Sequence, residues 1–174
     1  ILGDGKKWVQ LDELMGDSGG HAFNKFAQQL TTNQLIAMAN RRLEGLTDRY
    51  RFAFPESDGP LAVLDEHMAN ERRSVQTLSG GETFLMSLGL ALALSDLAAR
   101  NADVGDLFID EGFGTLDPAT LDGVLDVLER LQATAGRNVG IISHVEGLKE
   151  RIATQVRLEP TGHGHSKIRI VQGV

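Results

Sequence analysis

After residue 100 the chain alternates strand, helix, strand, helix, and this order constrains the fold more than any other feature of the sequence. Leu107-Phe108-Ile109 is a short apolar run that ends in the acidic pair Asp110-Glu111. Asp117-Pro118 supplies a helix N-cap and a proline at the first helical position. Leu121, Val124, Leu125, Leu128 and Leu131 then recur at the spacing of one helix face. Val139 to Ile142 is a second buried strand, closed by Ser143-His144 and followed by a short helix through Ile152. Strands joined in this way pair in parallel, with right-handed crossovers.

The chain closes with Gln155 to Leu158, a glycine-histidine turn and Lys167 to Val171, which predicts a hairpin. Upstream, Phe23, Phe26, Ala27 and Leu30 recur at helical spacing. Thr32 or Asn33 can cap a second helix carrying Leu35, Ile36, Ala39, Leu43 and Leu46 on one face. Tyr50 to Phe54 reads as a strand closed by Pro55, with Leu61 to Leu64 as its antiparallel partner. The polar run from Asp65 to Arg73 reads as an exposed connection, and Arg41-Arg42 and Arg72-Arg73 as solvated faces. The first twenty residues hold two glycine turns around a Trp8 to Leu14 segment. A helix from Thr83 to about Ala99 is apolar nearly all round, which predicts burial.

The 174 residues make one lobe, with no linker long enough to divide it. Its stretches are 1–48 (helices), 49–76 (hairpin and connection) and 77–174 (the motif-bearing part). Hydrophobic residues at 41% and charged residues at 24% are ordinary globular composition and exclude a disordered chain. With no cysteine, disulfide scaffolds, thiolate metal sites and cysteine nucleophiles are excluded. A net charge of -7 has the wrong sign for a surface built throughout to grip phosphate backbones, so any nucleic-acid contact is local. The most apolar stretch, Phe84 to Leu94, is interrupted by Ser87 and Gly89 and is shorter than the ~20 residues of a membrane span.

Four sequence elements carry chemistry. Leu78-Ser79-Gly80-Gly81-Glu82 stands before a helix. It reads as a capping box between Ser79 and Glu82, and as a phosphate-binding helix start with bare glycine amides; the two are compatible. Adjacent carboxylates at the end of a strand, Asp110 and Glu111, repel each other and call for a cation or polar ligand, or else form an acidic loop. Asp117 is a good N-cap and a candidate contact across a nucleotide site. His144 directly follows a strand, at the carboxyl edge where α/β proteins bind ligands. Gly112 and Gly114 around Phe113 mark a turn or a close backbone approach, and His163 with His165 lacks a third ligand nearby for a metal site.

The order and spacing of these elements resemble the C-terminal half of an ABC-type ATPase head. Leu78 to Glu82 matches the signature, Asp110-Glu111 Walker B, Thr115-Leu116-Asp117 the D-loop and His144 the switch histidine. Asp110 through Asp117, Ser143-His144-Val145-Glu146 and Gly164-His165-Ser166-Lys167 are similar to the SbcC family, the ATPase subunits of the SbcCD nucleases. Phe23 to Arg51 is similar to the stretch where that family's coiled coil re-enters the head.

The resemblance implies an α/β fold: the C-terminal lobe of an ABC-type P-loop ATPase head, with a partly parallel sheet, flanking helices and terminal β-hairpins. It implies ATP and Mg²⁺ as cofactors, with Asp110 on the metal, Glu111 and His144 as catalytic residues, and Ser79, Gly80, Gly81, Glu82 and Asp117 on the nucleotide. The implied partners are the N-terminal Walker A lobe of the same protein, a second copy of the head, an SbcD-like nuclease subunit and DNA, in the cytoplasm and without a membrane. The implied function is ATP-driven gating of DNA end processing, as double-strand exonuclease and hairpin endonuclease, in repair and recombination. An SMC-type chromosome-organising head or another ABC ATPase is the alternative.

Two features depart from a complete transporter-type head. No Gly-x-x-x-x-Gly-Lys-Ser/Thr phosphate loop occurs in the chain, which predicts a C-terminal lobe inactive by itself. Gly112 follows the acidic pair where transporter ATPases commonly have proline, and the helix after the signature is longer than theirs by roughly two turns.

Overall fold

The computed structural model describes residues 21–54, 59–99, 106–135, 138–162 and 164–172. The glycine turns of the first twenty residues, the Trp8 to Leu14 segment, Pro55 and His163 lie outside them. The chain forms two compact units, one reaching to Val104 and the other starting at Gly105.

The first unit begins with helix α1 (His21–Leu43). This is one continuous helix, where the sequence predicts a cap at Thr32 or Asn33 and two helices. The hydroxyl of Thr31 donates back to the Ala27 carbonyl at 2.9 Å, so a polar side chain that can cap a helix is here absorbed inside one. Ile36, Met38, Ala39 and Leu43 are buried, while Phe26 and Leu30 on the earlier turns are exposed.

Strands β1 (Tyr50–Phe52), β2 (Ala62–Asp65) and β3 (Glu71–Ser74) form an antiparallel sheet in the order β1-β2-β3. Tyr50 lies opposite Asp65 and Phe52 opposite Val63, which is the predicted hairpin. The expected exposed connection is different: Asp65 is fully buried, and residues 71–74 are a third strand paired to β2. On the free edge of β1, Asn40 of α1 stands in for a strand. Its amide nitrogen donates to the Phe52 carbonyl at 3.0 Å, and its carbonyl accepts from the Phe52 N–H at 2.8 Å.

Helix α2 (Gly80–Ala99) packs along α1 and completes the core of Ile36, Ala39, Leu43, Tyr50, Phe52, Val63, Met86 and Ala93. The helix has 20 residues and is long and apolar enough, by length and composition, to cross a membrane, which the shorter Phe84 to Leu94 stretch does not suggest. Its buried residues, among them Leu85, Met86, Leu88, Leu92 and Ala93, follow one face, as in a core helix of a globular unit. Burial is not all round as the composition predicts, since Leu94 is half exposed. Arg42, expected on a solvated face, pairs with Asp96 of α2 at 2.6 Å.

In the second unit, β4 (Asp106–Asp110) pairs in parallel with β5 (Asn138–Ile142) through helix α3 (Pro118–Ala135). The apolar face of α3 buries Leu121, Val124, Leu125 and Leu128. Strand β5 is only partly buried, and its last residue Ile142 is exposed. Among the described residues this sheet has just these two strands. The short helix α4 (Gly147–Arg151) is tied to α3 by Arg151, which pairs with Asp122 at 3.0 Å and Asp126 at 2.7 Å. The predicted closing hairpin is present and longer than expected: β6 (Thr154–Gly162) pairs with β7 (His165–Gln172).

Candidate functional site

At the start of α2, Ser79 and Glu82 close the expected capping box. The Ser79 N–H donates to Glu82 Oε2 at 2.8 Å, and the Glu82 N–H points back to Ser79 Oγ at 3.4 Å. Gly80 and Gly81 form the first turn, so backbone amides of the helix start carry no side chain in front of them. The Glu82 carboxylate is fully engaged: its other oxygen, Oε1, accepts from the Tyr50 hydroxyl at 2.9 Å and from Arg49 at 3.4 Å. Partial burial opposes its charge, but the Ser79 amide, the Tyr50 hydroxyl and Arg49 outweigh that and hold its carboxyl below the usual range.

In the second unit, Asp110 is the last residue of β4, exposed and without an ion pair among the described residues. Glu111 follows in the left-handed region at φ 61°, and Gly112 at φ 98°. The Glu111 N–H donates to the Ile142 carbonyl at 2.9 Å, which extends the parallel ladder one residue past the strand. This backbone turn brings the Glu111 carboxylate to His144, whose Nδ1 lies 3.0 Å from Oε2. Both side chains are open to solvent, as a site for an incoming ligand requires.

Phe113, buried to 1% exposure, anchors the 3-10 turn Phe113–Thr115 that follows. A Cβ on Gly114 would lie 3.9 Å from His144 Cε1 and Nε2, so this turn runs directly beside the imidazole. Gly112, at positive φ, thus serves the turn, while a side chain at Gly114 would meet only ordinary contacts. Asp117 is the N-cap of α3: Oδ1 accepts from the amides of Ala119 and Thr120, both at 3.1 Å, and Oδ2 from the Thr120 hydroxyl at 2.5 Å. The Thr120 hydroxyl first, then the backbone amides, hold the Asp117 carboxyl below its ordinary value. The structure therefore brings Glu111, His144 and the Gly114 turn together, and uses Asp117 as a cap.

One group of charged residues is absent from the sequence expectations. Asp65, at 0% exposure, accepts from Arg49 Nε at 3.0 Å, Arg49 Nη2 at 2.8 Å and Arg73 Nη1 at 2.9 Å. Arg73 is thus a partner of a buried acid and not part of a solvated face. The bonds from Arg49 first, then those from Arg73, overcome burial and lower the Asp65 pKa to about 2. Its trace in the sequence is an acid that ends the apolar run Ala62-Val63-Leu64, a position that demands guanidinium partners when buried.

The sequence that carries these elements has matches among known proteins. The family described as SbcC/RAD50-like, Walker B motif, matches residues 46–130. Similarity to SbcC extends further along the chain. SbcC of the SbcCD nuclease from Pseudomonas aeruginosa is 45% identical over 95% of this chain, which spans 14% of that relative. Its counterpart from Rhodobacter capsulatus is 44% identical over 94% of the chain, which spans 13% of it. The chain is thus about one-seventh of the length of these SbcC relatives.

Among solved structures, a chain from work on ATP-driven dimerization and DNA-stimulated activation of SMC ATPases superposes with a TM-score of 0.68. It is 16% identical, and the match covers 85% of this chain and 89% of that one. The SbcC-like chain therefore has the mixed α/β fold of SMC-type ATPase heads, with the parallel pair β4–β5 and an antiparallel terminal hairpin.

Proposed function

We propose that this chain is the C-terminal lobe of an ATP-hydrolysing head that dimerises around ATP and gates DNA end processing by a partner nuclease. The observation that carries this reading is the contact of Glu111 with His144 at the carboxyl end of the Walker B strand, 3.0 Å apart. The SbcC relatives support the nuclease context over the SMC-type alternative, because the SMC heads share the fold at only 16% identity.

The residues fit the two groups that such a head requires. Mg²⁺ is held by one or two carboxylates with phosphate oxygens and water. Asp110, exposed at the end of β4, offers one such carboxylate, and no cluster of three acidic or histidine ligands occurs among the described residues. A phosphate suits the glycine start of α2, where helix amides and the Ser79 hydroxyl converge. When bound, the metal neutralises charge on the phosphates and orients them.

In this reading Asp110 holds the metal, and Glu111 orients and polarises the attacking water. His144, held through Nδ1 by Glu111, contacts the terminal phosphate with its remaining ring nitrogen. Ser79, Gly80 and Gly81 bind the terminal phosphate of the nucleotide on a second head, and Asp117 is a candidate contact across a nucleotide site. Glu82 shapes that helix start and contacts the nucleotide only through it. Dimerisation follows from differential contact, since the terminal phosphate links two heads and its loss removes the link. The phosphate loop belongs to an N-terminal lobe of the same polypeptide, and the complex acts on DNA in the cytoplasm.

A partner lobe is also supported by what the second unit leaves open. Val156, Leu158, Ile168 and Ile170 stand on one face of the β6–β7 hairpin, each about two-thirds exposed, and Phe108 of β4 is 73% exposed. Apolar faces of this kind are interfaces in a soluble protein.

The test uses the full-length protein. Glu111→Gln leaves ATP-dependent dimerisation intact and lowers turnover by about 100-fold or more, the size of a general-base contribution. Ser79→Arg, which brings bulk and positive charge to the helix start, abolishes dimerisation as read by light scattering. Normal hydrolysis by the first variant or normal dimerisation of the second overturns the assignment.

A further inference from the structure

The capping carboxylate of Glu82 is held from outside its own helix. A capping box is a local device that needs only Ser79 and Glu82. Here the second oxygen of Glu82 is bound by Tyr50 and Arg49, two residues of the loop and strand that follow α1. The Arg49 guanidinium is shared: Nε and Nη2 grip the buried Asp65, and Nη1 reaches Glu82. Tyr50 is shared in the same way, since its oxygen accepts from Arg73 Nη1 at 3.3 Å and donates to Glu82. Arg73 Nη2 also touches the Thr77 carbonyl at 3.4 Å, just ahead of the box.

Two carboxylates and two guanidiniums thus form a closed circuit. It runs from the hairpin, through Arg49 and Tyr50, to the Ser79 amide. A fully buried ion such as Asp65 is weak support for stability, because an apolar residue of similar size does as well. Buried polar networks that are fully satisfied fix one geometry. Tyr50 makes the same point. Its ring fills the core at 2% exposure, which phenylalanine would do without the need to satisfy a hydroxyl. Burial first, and then the bond to Glu82, raise its pKa, so the phenol stays protonated and donates.

We propose that Tyr50 and Arg49 are positioning residues for the phosphate-contacting start of α2: through Glu82 they fix the orientation of Ser79, Gly80 and Gly81, and so set the affinity of ATP-dependent head dimerisation. This rests on the function proposed above. The hairpin and the loop after α1 are then part of the machinery that decides how well two heads close, although neither touches nucleotide.

Tyr50→Phe is the probe, because it removes one oxygen and leaves the ring. It is made in full-length protein carrying Glu111→Gln, so that dimers formed on ATP persist, and again with Glu111 present. Ser79→Arg is the control. The expected result is a dimerisation midpoint shifted to about tenfold higher protein concentration, at an unchanged melting temperature. With Glu111 present, kcat falls by a similar factor while KM for ATP stays constant, since the phosphate loop that sets nucleotide affinity is elsewhere. Glu82→Gln, which keeps a cap but loses the charge that Arg49 and Tyr50 address, shifts the midpoint in the same direction.

If Ser79→Arg abolishes dimerisation while Tyr50→Phe and Glu82→Gln leave the midpoint unmoved, the positioning role is overturned and the functional reading stands. A midpoint that shifts only in step with a lower melting temperature also overturns it, as a purely structural effect. Dimerisation unaffected by Ser79→Arg removes the functional reading, and the positioning role with it.

Discussion

Glu111 sits at φ 61°, a conformation that glycine and asparagine visit freely and that strains most other residues by about 1–3 kcal/mol. The strain is sustained by the bond from its N–H to Ile142 and by the His144 contact. Its result is geometric, for an extended Glu111 would carry the carboxylate onward with the strand instead of toward His144. At the same scale, Asp65 links acid chemistry to stability. Its carboxyl is lowered to about 2 in the folded state, against about 3.9 in an unfolded chain. A depressed acid stabilises fully above the unfolded value, and the contribution is lost as pH falls from about 4 through about 2. Asp65→Asn is therefore expected to lower the melting temperature at neutral pH by roughly 5 °C or more. The gap to the unmodified protein should narrow below pH 4. A gap independent of pH would show that the Asp65 charge contributes nothing.

Between elements, α1 and α2 meet closely because α2 has glycine where they cross. A Cβ on Gly89 would lie 2.7 Å from Leu43 Cδ2 and 2.8 Å from its Cγ, and Leu43 is completely buried, so it has nowhere to swing. Gly89→Val is expected to destabilise by about 1–3 kcal/mol through overpacking, seen as a lower urea midpoint with an unchanged slope. Combined with Leu43→Ala, the loss should be smaller than the sum of the single losses, because one variant opens the space the other fills. Strict additivity would mean the two side chains do not compete for that space. The same tight packing holds Asn40 against Phe52 and fixes β1, on which Tyr50 stands.

For the whole molecule, a net charge of -7 favours solubility, while the β6–β7 hairpin opposes it. Leu158 lies directly opposite Ile168, and Val156 opposite Ile170, so the four exposed side chains form one continuous patch. The 174-residue chain on its own is expected to self-associate in sizing experiments. Leu158→Lys with Ile168→Glu, an opposite-charge pair across the same two strands, should return it to a monomer. A wild-type chain that runs as a monomer at high concentration would place the patch outside any interface.

Much of this architecture is legible in the residues alone, and the legible part is local. Asp117-Pro118, the Ser79 to Glu82 box and the apolar periodicity of α3 are decided within three or four residues, so their physics is written in the order of the side chains. The parallel pairing of β4 and β5 follows from the same order, because a helical crossover leaves few alternatives. The nearly all-round apolar helix α2 is equally plain, but which of its faces is buried is not.

What only the tertiary structure decides involves partners far apart in the chain. Thr32 and Asn33 in the middle of α1 look like a helix boundary until the structure shows that one helix continues past them. Asp65 looks solvated until Arg49 and Arg73 are seen to surround it, and the Glu111 and His144 side chains meet across 33 residues of chain. Such contacts arise when the core brings distant segments together, and a side chain's neighbours along the chain carry no record of that.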